Sequence, residues 1–97
     1  MGNNLIRLRI VGITDHTIER IIHNISSESS LYDILKEVLK DQRNMLNYIS
    51  EKLLDGRLLL IINGLSVYRF SDLRSITVKP GDEVAILPVV FGGCKQL

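Results

Sequence analysis

The sequence has few of the residues that constrain a small protein covalently. Among 97 residues it has one cysteine and two prolines. A single cysteine excludes an internal disulfide, so the fold must depend on its hydrophobic core, and we expect a reducing, cytoplasmic setting. The apolar runs LLLII and AILPVVF are far shorter than a membrane span, which predicts no membrane association. The start, MGNNLIRLRI, alternates instead of showing the apolar block of a signal peptide.

The net charge is small, and reactive side chains are few. Twelve basic residues against eleven acidic ones leave a net charge of +1, and the basic residues form no run, so nothing favours nucleic acid. His16 and His23 are isolated, without a second ligand at metal spacing. No Ser/His/Asp or Cys/His arrangement and no glycine-rich phosphate loop can be placed. The sequence therefore predicts a single domain that has no catalytic residue and no metal site.

The first quarter of the chain predicts strand structure with one ambiguity. Within residues 5–13, the apolar residues Ile6, Leu8 and Ile10 alternate with two arginines, as in a half-buried strand. Gly12 to Asp15 are predicted to form a turn. In HTIERIIHNIS, residues 16–26, the isoleucines fit one face of a helix, whereas the β-branched content suits the return strand of a hairpin. Periodicity alone leaves both open.

Two helical segments follow. In SSLYDILKEVLKDQ, Ser30 is a predicted N-cap, with Asp33 three residues later approximating a capping box. Five apolar residues then form one helical stripe: Leu31, Ile34, Leu35, Val38 and Leu39. The second segment, NMLNYISEKLL at 44–54, places three apolar residues in register before Asp55-Gly56 ends it.

The remainder predicts strands. LLLIIN is a continuous apolar run, typical of a strand covered on both faces, and Asn63-Gly64 is a strong hairpin turn into SVYRF. SDLRSI predicts a loop or helical turn, KPGD a tight turn, and EVAILPV a last strand. Strands and helices in this order predict an α+β fold, a mixed sheet of four or five strands around one main helix.

The residues DGRLLLIINGL and KPGDEVAILPVVFGG resemble the β-grasp, ubiquitin-like sulfur carriers. These are the small subunit of molybdopterin synthase and its relatives in thiamine synthesis, tRNA thiolation and archaeal protein modification. The family pattern is an apolar strand ending in an Asn turn, a Gly-Asp-Glu-Val-Ala strand, a proline and a Gly-Gly end. It corresponds here to Ile62-Asn63, Gly81 to Ala85, Pro88 and Gly92-Gly93. The resemblance is distinctive over 56–93 and loose over 1–42, and it favours a strand at 16–26.

The resemblance implies a β-grasp domain at residues 1–89, with an extra helical segment at 44–54, and a flexible tail at 90–97. It implies a co-substrate, not an enzyme: an E1-like adenylating enzyme uses ATP and magnesium to activate the carboxylate of Gly93, and sulfur then replaces the nucleotide. The large subunit of molybdopterin synthase would accept the resulting thiocarboxylate. The carrier itself would bind no cofactor. The residues expected to contact these partners or to be activated are Pro88, Val89, Val90, Phe91, Gly92 and Gly93.

This sequence departs from the family pattern by continuing past Gly93 with CKQL. Gly93 therefore lies in a peptide bond and cannot be adenylated as the sequence stands. Three explanations remain open: a processing protease removes 94–97; the tail stays and there is no carrier activity; or the Cys94 thiol attacks the carbonyl of Gly93 to form a thioester. CKQL is not a prenylation box, because Lys95 and Gln96 are not aliphatic.

Three functions follow as hypotheses. The first is a sulfur carrier in molybdenum or tungsten cofactor synthesis. The second is a protein modifier joined to lysines of other proteins through Gly93. The third is a β-grasp docking module that uses no tail chemistry. The first two share one activated glycine, so a single sequence cannot separate them.

Overall fold

The computed structural model describes residues 5–12, 17–22, 27–67 and 70–89. Within these stretches the apolar patterns of the sequence become strands and helices close to where they are predicted. The strands are β1 (Ile6–Ile10), β2 (Ile18–Ile22), β3 (Ser29–Ser30), β4 (Leu58–Ile62), β5 (Leu65–Val67), β6 (Thr77–Val78) and β7 (Glu83–Pro88). The helices are α1 (Leu31–Val38), α2 (Arg43–Asp55) and a 3₁₀ helix (Leu73–Ser75).

Five strands form one mixed sheet in the order β2-β1-β7-β4-β5. The first and last of them in the chain, β1 and β7, lie side by side and parallel, and the other neighbours are antiparallel. The segment that periodicity left open is a strand, with Ile18 opposite Ile10 and Ile22 opposite Ile6. The structure confirms the predicted α+β, β-grasp-like arrangement.

A second, two-stranded sheet was not predicted. Ser29 pairs with Val78, and Ser30 with Thr77. Two residues are too few to show an alternating pattern, so this pairing depends on the tertiary structure that brings the start of α1 to the segment before β7. It fixes the position from which α1 begins.

Helix α1 begins as its sequence predicts. The Ser30 hydroxyl accepts a hydrogen bond from the backbone N–H of Asp33, at 3.1 Å. This bond satisfies one of the N–H groups that the first turn of a helix leaves without a partner. Leu31, Ile34 and Leu35 are buried, as the apolar stripe predicts.

Helix α2 is longer than the helix expected to be the main one, with thirteen residues against eight in α1. Leu46, Ile49 and Leu53 are buried and belong to the same hydrophobic cluster as the buried face of α1. Gly56 then ends α2 in the left-handed conformation (φ 84°). The segment predicted as an addition is therefore an integral part of the core.

The prediction that β4 is covered on both faces is wrong. Leu58 and Leu60 are buried in the cluster that both helices join, whereas Leu59 and Ile61 are only partly buried. Alternate residues of a strand point to opposite faces, and in the described chain both helices pack on one face of the sheet. The other face keeps apolar side chains at its surface.

Candidate functional site at the C-terminal end of β7

The structure places two of the six predicted site residues. Pro88 is the last residue of β7 and is exposed, and Val89 follows it, partly buried. Val90, Phe91, Gly92 and Gly93 lie outside the described residues. The division between a domain at 1–89 and a tail at 90–97 therefore stays a prediction. The part of the site that the structure describes is the surface around Pro88 and Val89.

Strand β7 is held on both sides through Ile86, and on the β4 side alone from there to Val89. It pairs with β1 on one side and with β4 on the other, where Pro88 lies opposite Leu58. The backbone N–H of Val89 donates to the carbonyl oxygen of Arg57 at 3.1 Å, one residue beyond the strand. The chain therefore reaches residue 89 in a defined position.

Gly12 lies directly against Pro88. Its φ is +76°, and a Cβ built on it would be 2.9 Å from Cγ and 3.0 Å from Cδ of the Pro88 ring. Both the positive φ and this close approach exclude a side chain here. The turn after β1 therefore contacts the ring of Pro88 with its backbone.

At the opposite end of β7, two turns are joined by side chains. The Asn63 amide nitrogen donates to Oδ1 of Asp82 at 2.9 Å, and Oδ1 of Asn63 accepts from the backbone N–H of Glu83, also at 2.9 Å. The other carboxylate oxygen of Asp82 accepts from the backbone N–H of Lys79 at 2.8 Å. The sequence identified Asn63 only as a turn residue and missed this link between the two motifs that carry the resemblance.

A groove borders Val89 that the sequence did not reveal. It has a volume of about 630 Å³ and lies where the C-terminal turn of α2 meets the β4–β5 hairpin. We call it the tail groove, and its apolar lining includes Leu54, Leu58, Val67, Phe70, Pro88 and Val89. Leu54 is 47% exposed although its neighbour Leu53 is in the core. The sequence pointed to the groove only through Leu54, an apolar residue outside the 3–4 spacing of the buried residues of α2.

The outer face of the sheet carries a second apolar surface. Leu59 lies opposite Leu87 and Ile61 opposite Ala85, all partly buried, and Ile21 on β2 is 51% exposed. Two exposed ion pairs border this strip, Arg7–Glu83 at 3.4 Å and Arg9–Glu19 at 3.0 Å. Apolar surface surrounded by charge is typical of a protein-binding face.

The described stretches contain neither a cluster of metal ligands nor a membrane-spanning helix. Residues 5–12, 17–22, 27–67 and 70–89 contain no group of three His, Cys, Asp or Glu side chains arranged to hold a metal ion. Over the same part of the chain, no helix is both long and apolar enough to cross a membrane.

Comparison with known proteins identifies the family. Residues 13–93, more than four-fifths of the chain, match the model of the ThiS family. The chain belongs to the ThiS family. Its members are ubiquitin-like β-grasp sulfur carriers, small and generally non-catalytic, that work with E1-like enzymes and synthases.

A solved structure supports the fold. The solution structure of the Haloferax volcanii HVO 2177 protein superposes with a TM-score of 0.56 at 20% sequence identity, and the alignment covers 95% of this chain and 89% of that one. At this identity the similarity concerns the fold alone. No curated protein matches the chain.

Proposed function

We propose that this ThiS-family protein carries sulfur as a thiocarboxylate on Gly93 and donates it in molybdopterin biosynthesis. The supporting observation is that the sheet holds the chain up to Val89, while the family match ends four residues later, at Gly93. A chain held by the sheet up to Val89 and followed by four residues that end in two glycines suits delivery of a carboxyl group into a narrow channel of another protein, because four residues can span up to about 14 Å and glycine has no side chain.

The chemistry takes place in the partners. A carboxylate oxygen of Gly93 attacks the α-phosphorus of ATP, and pyrophosphate leaves, so that an acyl-adenylate forms. A sulfide equivalent then displaces AMP to give the thiocarboxylate. ATP and magnesium belong to the adenylating enzyme, and this chain contributes the carboxyl group and the surfaces that position it.

The proposal requires that the residues after Gly93 be removed. They lie outside the family match, and a Gly93 still joined to Cys94 has no free carboxylate. A protease that cuts between these two residues is therefore a further partner. We propose that Phe91 and Val90 contact the channel that receives the processed end, and that the outer face of the sheet contacts the adenylating enzyme.

ATP–pyrophosphate exchange tests the activation step. We expect the chain ending at Gly93 to support exchange with the adenylating enzyme of the source organism, and the chain continuing to Leu97 to give none. A chain ending at Gly93 in which Gly93→Val is introduced should also give none, because a side chain obstructs the channel. Its circular dichroism spectrum should match that of the unsubstituted chain. Exchange at the normal rate by the Gly93→Val chain would contradict the proposal.

Two further measurements identify the pathway. Complementation of bacterial strains lacking either the small subunit of molybdopterin synthase or the thiamine sulfur carrier should succeed only in the first. The intact mass of the protein from its own cells should show a species ending at Gly93 with oxygen replaced by sulfur. Conjugates on lysines of other proteins would favour the modifier function, and a chain always retaining residues 94–97 would favour the docking module.

A further inference from the structure

The tail groove has the composition of a protein-binding surface and not of a polar ligand site. Its lining is apolar apart from Asp55 and the backbone at Gly56. Asp55 pairs with Arg57 at 3.6 Å, and both side chains are largely exposed at the rim. A partner that fills the groove is therefore expected to present an apolar side chain, since the one carboxylate of the lining, Asp55, is already paired with Arg57 and the other lining side chains offer no polar group.

We infer that the tail groove receives an apolar side chain from the mouth of the adenylating enzyme that takes up the tail, and that Leu54 of α2 is a specificity residue for this enzyme. The inference rests on the proposed function. It gives α2 a role beyond the core: the buried face of the helix packs in the domain, while its last turn forms one wall of the contact surface.

The shortness of the tail is the reason for this contact. Gly93 is four residue steps beyond Val89, a distance of at most about 14 Å when fully extended. An enzyme that encloses Gly93 in its active site must therefore bring its surface close to Val89. Val89 itself lines the tail groove, and Leu54 and Phe70 lie on the same groove. The groove is thus continuous with the surface that uptake of the tail would bury.

The experiment measures the concentration dependence of ATP–pyrophosphate exchange for chains ending at Gly93, with the recombinant adenylating enzyme. We expect Leu54→Glu to raise KM for the carrier by roughly tenfold or more, as for a residue in the packed centre of an interface. The value of kcat should be unchanged, because the activated carboxylate is unaltered. Leu54→Met, which keeps an apolar side chain of similar size, should retain the normal KM.

Tyr48→Glu is the matched control. Tyr48 lies on the same helix and is 48% exposed, against 47% for Leu54, but it does not line the tail groove. Its KM should stay normal, and the melting temperatures of the two Glu variants should agree. Equal KM values for Leu54→Glu and Tyr48→Glu, with normal exchange by the unsubstituted chain, would overturn this inference alone. Absence of exchange by the unsubstituted chain would overturn the proposed function with it.

Two other occupants of the groove are distinguishable without the enzyme. A dimer that Leu54→Glu dissociates in sedimentation equilibrium would assign the groove to a second copy of the chain. Shifts of the Leu54 and Val67 methyl resonances on removal of residues 90–97 would assign it to the protein's own tail. Either result would overturn the inference, and a monomer with unshifted methyl resonances supports it.

Discussion

Asn63 shows how one residue can connect parts of the chain that the sequence presents as separate motifs. It adopts φ 54°, a left-handed conformation that Asn tolerates better than most residues and that the hairpin turn with Gly64 requires. The same side chain bonds Asp82 and the backbone of Glu83, which are 19 and 20 residues away. The turn after β4 and the start of β7 are therefore aligned by one amide group.

We expect Asn63→Ala to lower the free energy of unfolding by roughly 1–3 kcal/mol, because it combines an unfavourable left-handed alanine with the loss of two hydrogen bonds. Asn63→Gly tolerates the conformation and removes only the bonds, so its loss should be smaller. Urea denaturation of the three proteins measures both effects. Equal stability of Asn63→Ala and the unsubstituted protein would show that the link contributes nothing.

Among the elements, α2 differs most from its expected role. A helix predicted as an insertion buries Leu46, Ile49 and Leu53 against the core that contains β4 and α1. The 3–4 spacing of these residues indicated an amphipathic helix, but spacing does not say which surface a helix packs on. Its contact with β4 closes one side of the core and sets the wall of the tail groove.

Ile49→Ala tests whether α2 belongs to the core. Ile49 is fully buried, so its truncation should cost about 2–5 kcal/mol through lost burial and a residual cavity. Tyr48→Ala, on the exposed side of the same helix, should change stability by about 0.5 kcal/mol or less. Guanidinium denaturation gives both values. A loss below 1 kcal/mol for Ile49→Ala would mean that α2 is a peripheral attachment.

At the scale of the whole molecule, the first and last described strands lie side by side inside the sheet. β1 and β7 are parallel neighbours, and the described core residues run from Ile6 to Ile86. The chain between these two strands contains both helices and the β4–β5 hairpin. The described core residues therefore end at Ile86, three residues before Val89.

We expect that ending the chain at Val89 leaves the melting temperature within about 2 °C of that of the full chain, since the described core residues end at Ile86. Thermal unfolding followed by circular dichroism measures this. As a positive control, Ile49→Ala in the same assay should lower the melting temperature clearly. A drop of more than about 5 °C on truncation would show that 90–97 packs on the domain.

Much of the fold was predictable because local patterns carry it. The Ser30 cap, the leucine spacing of α1, the Asn63-Gly64 turn and the final strand each have a sequence pattern that lies within a few residues. The two-residue pairing at Ser29–Ser30 was not predictable, because it joins segments far apart in the chain. Of the site, the sequence indicated Pro88 and Val89 but missed the groove beside them, since its walls come from separate elements.

The sequence by itself determined the two helices, the glycine that ends α2, the Asn63-Gly64 turn and the two glycines at 92–93, because propensity, capping and turn chemistry act locally. Only the tertiary structure decided which apolar residues stay at the surface. Leu53 and Leu54 are identical neighbours, yet one is buried and the other half exposed, because they project from different sides of α2. The same reason leaves Leu59 and Ile61 on the open face of a strand whose other side chains form the core.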